Sequence, residues 1–167
     1  GYFSLMTNTG NNNTSVGYAS LKVNAAGSRN TAVGQETLFT NASTHDNTSV
    51  GYQAGYLTTG ASNTYVGSSA GKGTVGAETS NVGVGKDALL AITTGTDNVA
   101  VGIKALEALT DSQYNVGIGR QAAFKITTGD KNISIGGGTL ALATTASNII
   151  AIGHDAAYTV SAGNTAS

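Results

Sequence analysis

The feature that most constrains this chain is an internal repeat that runs along all 167 residues. Asn, a β-branched residue, a small residue, Val or Ile, and Gly follow one another in seven of the nine copies, and the other two depart at one position each. The repeat glycines are Gly17, Gly34, Gly51, Gly67, Gly85, Gly102, Gly119, Gly136 and Gly153. They are 17 residues apart except for one interval of 16, which an interval of 18 follows directly. So short and regular a period predicts a stack of units that bury apolar surface only against their neighbours.

Each copy contains the pattern of a short β-strand. Counting from the repeat glycine as position 0, positions −3 and −1 are β-branched in all nine copies, and position −2 is small in every copy except at Tyr65. This alternation places the −3 and −1 side chains on one face of a strand. We interpret position −1 as the core of the coil, formed by Val16, Val33, Val50, Val66, Val84, Val101, Ile118, Ile135 and Ile152.

Asparagine occupies position −4 in eight of the nine copies, and Ile149 takes its place in the ninth. Stacked identical amides can form a ladder of side-chain hydrogen bonds at a corner of the coil. We therefore predict a structural ladder of Asn13, Asn30, Asn47, Asn63, Asn81, Asn98, Asn115 and Asn132. The glycine that follows each strand is expected to supply a corner with positive φ or a close approach between backbones.

The remainder of each unit carries a second, looser apolar set. Position +4 is often Leu, and an apolar residue at +6 or +7 follows in Val23, Leu57, Ile92, Leu109, Ile126 and Val160. We interpret this part as a second short extended segment and a turn. A helix is the alternative, but glycines such as Gly55 and Gly71 disfavour it, because all copies share one conformation.

These patterns predict an all-β fold, a parallel β-solenoid or β-roll of about nine to ten 17-residue coils. Residues 1–167 form a single repeat array, which we expect to be a slice of a longer fibrous protein. The chain has no Cys, only 10% charged residues and a net charge of −1. The absence of Cys excludes zinc–thiolate sites and disulfides. Neither a nucleic-acid partner nor membrane insertion is predicted.

No set of residues has the spacing of a catalytic or metal site. Gly71-Lys72-Gly73-Thr74 lacks the spacing of a phosphate-binding loop. His45 and His154 are more than a hundred residues apart and occupy different positions of the repeat, so they are not expected to form one site. Glu36, Glu78 and Glu107 form no evident pair of catalytic carboxylates. The turn residues Asp46, Asp97, Asp111 and Asp130 fit turn chemistry better than loose calcium binding. The sequence therefore predicts no enzyme, no cofactor and no metal.

One aromatic feature is a candidate surface contact. Position +1 is Tyr2, Tyr18 and Tyr52 in the first part of the chain and varies widely later, which is typical of a solvent-exposed position. Exposed tyrosines on a polar rod could stack on sugars or contact a protein receptor. The alternative is that these rings only cover the edge of a coil.

The repeat resembles a known pattern over essentially its whole length. Asn-Thr-Ala-Val-Gly-x-x-(Thr/Ala)-Leu followed by Thr-Thr-Gly resembles the shaft repeats of bacteriophage tail-fibre proteins. Asn98-Val99-Ala100-Val101-Gly102 is also similar to the head repeats of trimeric autotransporter adhesins, although those repeats are usually shorter than 17 residues. The resemblance implies a homotrimer of β-rolls, on a virion in the first case and extracellular, at a cell surface, in the second.

The resemblance and the repeat together predict a structural and adhesive fibre segment, a phage tail-fibre shaft that contributes to host attachment. Its partners would be further copies of itself and a host glycan or protein receptor, with one apolar set of each coil facing the neighbouring subunits. A single wider core that holds both sets is the monomeric alternative. A bacterial surface adhesin or extracellular filament is the alternative function.

Ice binding is a further alternative, because it needs an outward array of threonines, and Thr14, Thr31, Thr48 and Thr64 align at position −3. That column continues as Val82, Val99, Val116, Ile133 and Ile150. We therefore expect it to point inward.

Overall fold

A computed structural model describes residues 1–159 of the chain. Nine strands of three residues each form one parallel sheet in which the spatial order is the sequence order. They are β1 (Thr14–Val16), β2 (Thr31–Val33), β3 (Thr48–Val50), β4 (Thr64–Val66), β5 (Val82–Val84), β6 (Val99–Val101), β7 (Val116–Ile118), β8 (Ile133–Ile135) and β9 (Ile150–Ile152). The molecule is therefore a parallel β-solenoid, as the repeat predicts.

Successive coils stack in strict register. Val101 pairs with Ile118, one repeat later, and the same offset holds throughout. The 16- and 18-residue units do not disturb it, since Thr64 pairs with Thr48 on one side and Val82 on the other. Nine strands span about eight coils, against the nine to ten expected, because the residues before β1 and after β9 add no further strand within the described range. With strands about 4.8 Å apart, this stack is roughly 38 Å long.

The repeat glycine makes the corner after each strand. Gly85 has a φ of +129°, and a Cβ built on it would lie 2.6 Å from the carbonyl oxygen of Gly102 in the next coil. Both the conformation and the close approach exclude a side chain. This agrees with the corner predicted from the sequence.

The predicted second extended segment is wrong. Positions +1 to +6 form consecutive turns rather than a strand, and no helix occurs in residues 1–159. Positions +2 and +4 adopt left-handed conformations, with φ of 61° at Lys104 and 49° at Leu106. The turns still bond from coil to coil, since Leu106 N–H donates to Ala122 O at 3.0 Å. Their backbone polar groups are thus paired along the axis as those of a sheet are.

The core lies between the strand and these turns. It consists of the small −2 residues, the residues at +3, and the long apolar residues at +4 and +7. Leu21, Leu38, Leu89, Ile92, Leu106, Leu109, Ile126 and Leu140 are completely buried. Of the predicted apolar set, Val23 is instead 40% exposed, and Val160 lies outside the described residues.

The prediction that position −1 forms the core is wrong. Val16, Val33, Val50, Val66, Val84, Val101, Ile118, Ile135 and Ile152 all point outward and are half-buried or exposed. The intervening −2 residues, such as Ala100, are buried instead. The reason is steric, because the narrow interior already holds a leucine from position +4 and leaves room only for a small side chain opposite. One apolar set is enclosed and the other is not, which excludes the single wider core.

Candidate functional site

The asparagines at position −4 form a continuous hydrogen-bonded ladder. Asn98 Oδ1 accepts the backbone N–H of Asn115 at 2.9 Å, and Asn98 Nδ2 donates to Ser112 O at 2.8 Å. The backbone N–H of Asn98 donates in turn to Asn81 Oδ1 at 3.0 Å. The pattern continues until Ile149 N–H donates to Asn132 Oδ1 at 3.1 Å. This ladder, predicted from the sequence, holds the corner at the start of each strand and is structural in character.

The outward side chains at −3 and −1 of the nine strands form a straight, two-column surface, which we call the outer β face. Its −1 column is Val or Ile in every coil, with exposed fractions of 56% at Val16, 37% at Val101 and 66% at Ile152. Its −3 column is Thr in the first four strands and Val or Ile in the last five. A strand face in contact with water normally carries polar residues. A continuous apolar column on the outside is typical of an interaction surface.

The −3 column was expected to point inward, and this is wrong. Thr31, Thr48 and Thr64 are half-buried on the outer β face, and Thr14 is exposed. The alternation that groups −3 with −1 is right, but the face they share is the outer one. The four threonines are therefore displayed side by side, one per coil.

The three candidate tyrosines are all exposed, by 72% at Tyr2, 48% at Tyr18 and 49% at Tyr52. The rings of Tyr2 and Tyr18 stack at a centroid distance of 6.3 Å. Tyr52 belongs to a later coil, with Gln35 at position +1 between Tyr18 and Tyr52. The structure thus brings together only two of these rings.

A second column of aromatic and cationic side chains was missed. It occupies position +5, where Phe39 and Tyr56 stack at a centroid distance of 5.0 Å. Lys22 Nζ lies 5.2 Å from the Phe39 centroid, and Lys72 Nζ lies 5.9 Å from that of Tyr56. Cation–π contacts of this kind are attractive by about 0.5–1 kcal/mol at exposed sites. The signal in the sequence was the spacing of Lys22, Phe39, Tyr56 and Lys72 at the repeat interval.

The first half of the solenoid also encloses a polar cluster. Tyr65 and Glu78 are buried, and Tyr65 Oη and Glu78 Oε2 have no hydrogen-bond partner within residues 1–159. Ser49 Oγ and Thr58 Oγ1 are likewise unpartnered there, and they lie 2.9 and 3.0 Å from the place where a Cβ on Gly55 would be. Burial raises the pKa of Glu78 to about 8. The cluster is closed to solvent, so it bears on stability rather than on recognition.

The other acidic candidates each contact a different partner, in most cases a residue of the neighbouring coil. Glu36 accepts from Gln53 Nε2 at 2.7 Å, and Glu107 pairs with Lys104 at 2.9 Å. Asp46 pairs with Arg29, whose guanidinium lowers the pKa of that exposed carboxyl through a hydrogen bond. Asp130 accepts the backbone N–H of Gln113 at 2.8 Å. Only the Glu107–Lys104 pair lies within one coil; the other contacts join successive coils one repeat apart.

The two histidines lie in different coils. His45 Nδ1 accepts the backbone N–H of Ser28 at 2.9 Å, and His154 Nδ1 lies 2.9 Å from Asp155 Oδ2. Across the described part of the chain, no three His, Cys, Asp or Glu side chains are grouped in a way that could hold a metal ion. Within residues 1–159, no helix has the length and apolar character needed to cross a lipid bilayer.

The fold and its surfaces define the class of protein as a parallel β-solenoid repeat protein. Comparison of the chain with protein-family models, with curated proteins and with solved structures found no match. Any function must therefore be argued from the surfaces of the solenoid themselves.

Proposed function

We propose that this chain is a structural and adhesive fibre segment, three copies of which associate through their outer β faces. The observation that supports this most directly is the Val/Ile column at −1, which is kept in every coil although its side chains point outward. Covering those side chains in a trimer would remove apolar surface from water along the whole rod, and each buried methylene group contributes about 0.8 kcal/mol.

The choice of a trimer and of a tail-fibre shaft rests on the resemblance of the repeats to those of bacteriophage tail fibres and trimeric autotransporter adhesins. In-register backbone ladders and the buried asparagine ladder suit a load-bearing rod, because every coil is bonded to both neighbours. The role would be to hold a recognition element away from the virion and to contact the host surface. A bacterial adhesin or extracellular filament would use the same rod, and the sequences flanking the repeats distinguish the two.

Light scattering on the chain tests the association. A mass of three times 16.5 kDa is expected at micromolar concentration. Val101→Asp, on the outer β face, should yield monomers that still melt cooperatively, since this side chain is 37% exposed. Ile103→Asp is the matched control, because Ile103 is exposed at position +1, off the face. A wild-type chain that stays monomeric would overturn the trimer.

Ice binding is a second candidate, favoured by one observation. Thr14, Thr31, Thr48 and Thr64 are in register on the outside of the sheet. The column turns to Val and Ile in the last five strands, which shortens the array. A thermal-hysteresis measurement decides this case, and an absence of hysteresis excludes it.

A further inference from the structure

A notch interrupts the turn surface of the coil that contains β8. In this coil position +1 is Gly137, position +2 is Gly138 and position +5 is Ala141, whereas both neighbouring coils carry large or charged side chains at these positions. A cavity of about 540 Å³ results. A volume of this size suits a small ligand.

Aromatic rings close the notch on both sides along the axis. Phe124 and Tyr158 stand at position +5 in the coils before and after Ala141. Lys104 Nζ lies 5.7 Å from the Phe124 centroid and belongs to the coil before it, so the opposite face of the ring is turned toward the notch. Two coil spacings separate the rings by about 10 Å. Phe39 and Tyr56, at the same position of two consecutive coils, stack directly, whereas Ala141 separates Phe124 from Tyr158.

The notch is preformed, because only side chains are missing. Gly138 N–H donates to Arg120 O at 3.0 Å and Asp155 N–H donates to Gly137 O at 2.9 Å. Leu142 N–H likewise donates to Tyr158 O at 3.1 Å. These bonds hold the backbones of the three coils at the regular coil spacing across the notch.

The side chains around the notch include two cations and one carboxylate, a net positive charge. Arg120 and Lys125 line it together with Asp155. Asp155 Oδ1 occupies the place that a Cβ on Gly138 would take, and Asp155 Oδ2 lies 2.9 Å from His154 Nδ1. This net positive charge is unusual in a chain with 10% charged residues and a net charge of −1. A guanidinium binds a carboxylate through paired hydrogen bonds.

We propose that the notch binds a carboxylated pyranose, such as a uronic acid residue of a surface polysaccharide. The sugar ring would lie over Ala141, with its C–H faces against Phe124 and Tyr158 and its carboxylate toward Arg120. This deepens the proposed attachment role and rests on it for its biological meaning. The binding event itself depends only on the notch, which lies away from the outer β face.

The test is a titration of the ¹⁵N-labelled 167-residue chain, followed by amide chemical shifts. Methyl β-glucuronide should give saturable shifts at Gly137, Gly138 and Leu142, while methyl β-glucoside, which differs at C6, and acetate bind about tenfold more weakly. No saturable shift with the glucuronide overturns the proposal. Equal shifts with the glucoside or with acetate overturn the requirement for an acidic sugar.

Variants locate the site. Arg120→Gln should weaken glucuronide binding about tenfold. Lys86→Gln is the matched control, because it also removes a cation at position +1 but in another coil, and it should leave binding unchanged. Ala141→Tyr should abolish binding and keep the melting temperature, because consecutive rings at this position already stack in Phe39 and Tyr56. Binding that survives Ala141→Tyr overturns the location. Light scattering on the same samples shows whether the trimer forms, so failure of one proposal is distinguishable from failure of the other.

Discussion

The ring of Tyr65 occupies the space that a side chain on Gly71 would need. A Cβ built on Gly71 would overlap three atoms of that ring. Position +4, where Gly71 stands, is a buried leucine in most coils, and position −2, where Tyr65 stands, is otherwise small. The fourth coil therefore exchanges the sizes of two opposed residues and keeps the same filled interior.

This exchange predicts strong coupling between the two positions. Tyr65→Ala should destabilise the chain by about 3–5 kcal/mol through the cavity it leaves. Gly71→Leu alone should destabilise it through overlap with the ring. The double variant restores the usual arrangement, and Gly71 already has a φ of +54°, close to that of Leu106. Denaturant unfolding should show that the double variant recovers most of the loss; additive losses would contradict the shared space.

The asparagine ladder predicts that replacing the side-chain amide of one asparagine by a carboxylate destabilises the fold. Asn98→Asp keeps the acceptor for the N–H of Asn115 but cannot donate to Ser112 O while ionised, and it buries a charge. We expect a loss of several kcal/mol, on the order of that for an unpaired buried charge. Thermal melting measures it. Asn148→Asp, at an exposed position, is the control, and an equal effect there would show that the ladder contributes nothing specific.

The buried carboxyl of Glu78 predicts a dependence of stability on pH. Burial raises its pKa to about 8 in the folded chain, whereas in the unfolded chain it titrates near the ordinary value of about 4.3. The unfolded state therefore releases this proton first as the pH rises. The contribution of Glu78 to the free energy of unfolding is therefore greatest below about pH 4.3, falls between about pH 4.3 and pH 8, and is constant above about pH 8.

Denaturant unfolding across this pH range measures the effect. Glu78→Gln should remove the downward slope between about pH 4.3 and pH 8. Glu107→Gln, which breaks the surface pair with Lys104, should keep it. A wild-type chain whose stability rises over this interval would contradict the assignment to Glu78.

Much of the fold follows from the sequence because the repeat specifies it nine times. The period predicted the stacking, Asn98 and its equivalents predicted the ladder, and the glycines predicted the corners. The alternation in β6 showed that Val99 and Val101 share a face, but period alone does not say which face is inside. That depends on the width of the interior, which the leucine at +4 sets from across the coil.

The turns were harder to predict, since their conformation contradicts the local preferences of their residues. Lys104 and Leu106 are left-handed, a conformation that L-residues with a Cβ adopt at a cost of about 1–2 kcal/mol each. Their bonds to neighbouring coils stabilise it, and no local sequence signal reports those bonds. The notch was missed for a similar reason, because Gly137 and Ala141 become neighbours of Phe124 and Tyr158 only after the coils stack.

The return to register after the 16- and 18-residue units has a consequence for how such a chain can change. The asparagine at −4 and the glycine at 0 restore the register of the backbone once per coil, so a length change between one repeat glycine and the next asparagine is confined to a single edge loop. Thr64 still pairs with Val82 across an 18-residue step. Thr74 and Val75, which are exposed within that longer unit, are thus a natural point at which to graft a foreign peptide, and they mark an edge along which new loops can be gained or lost one coil at a time.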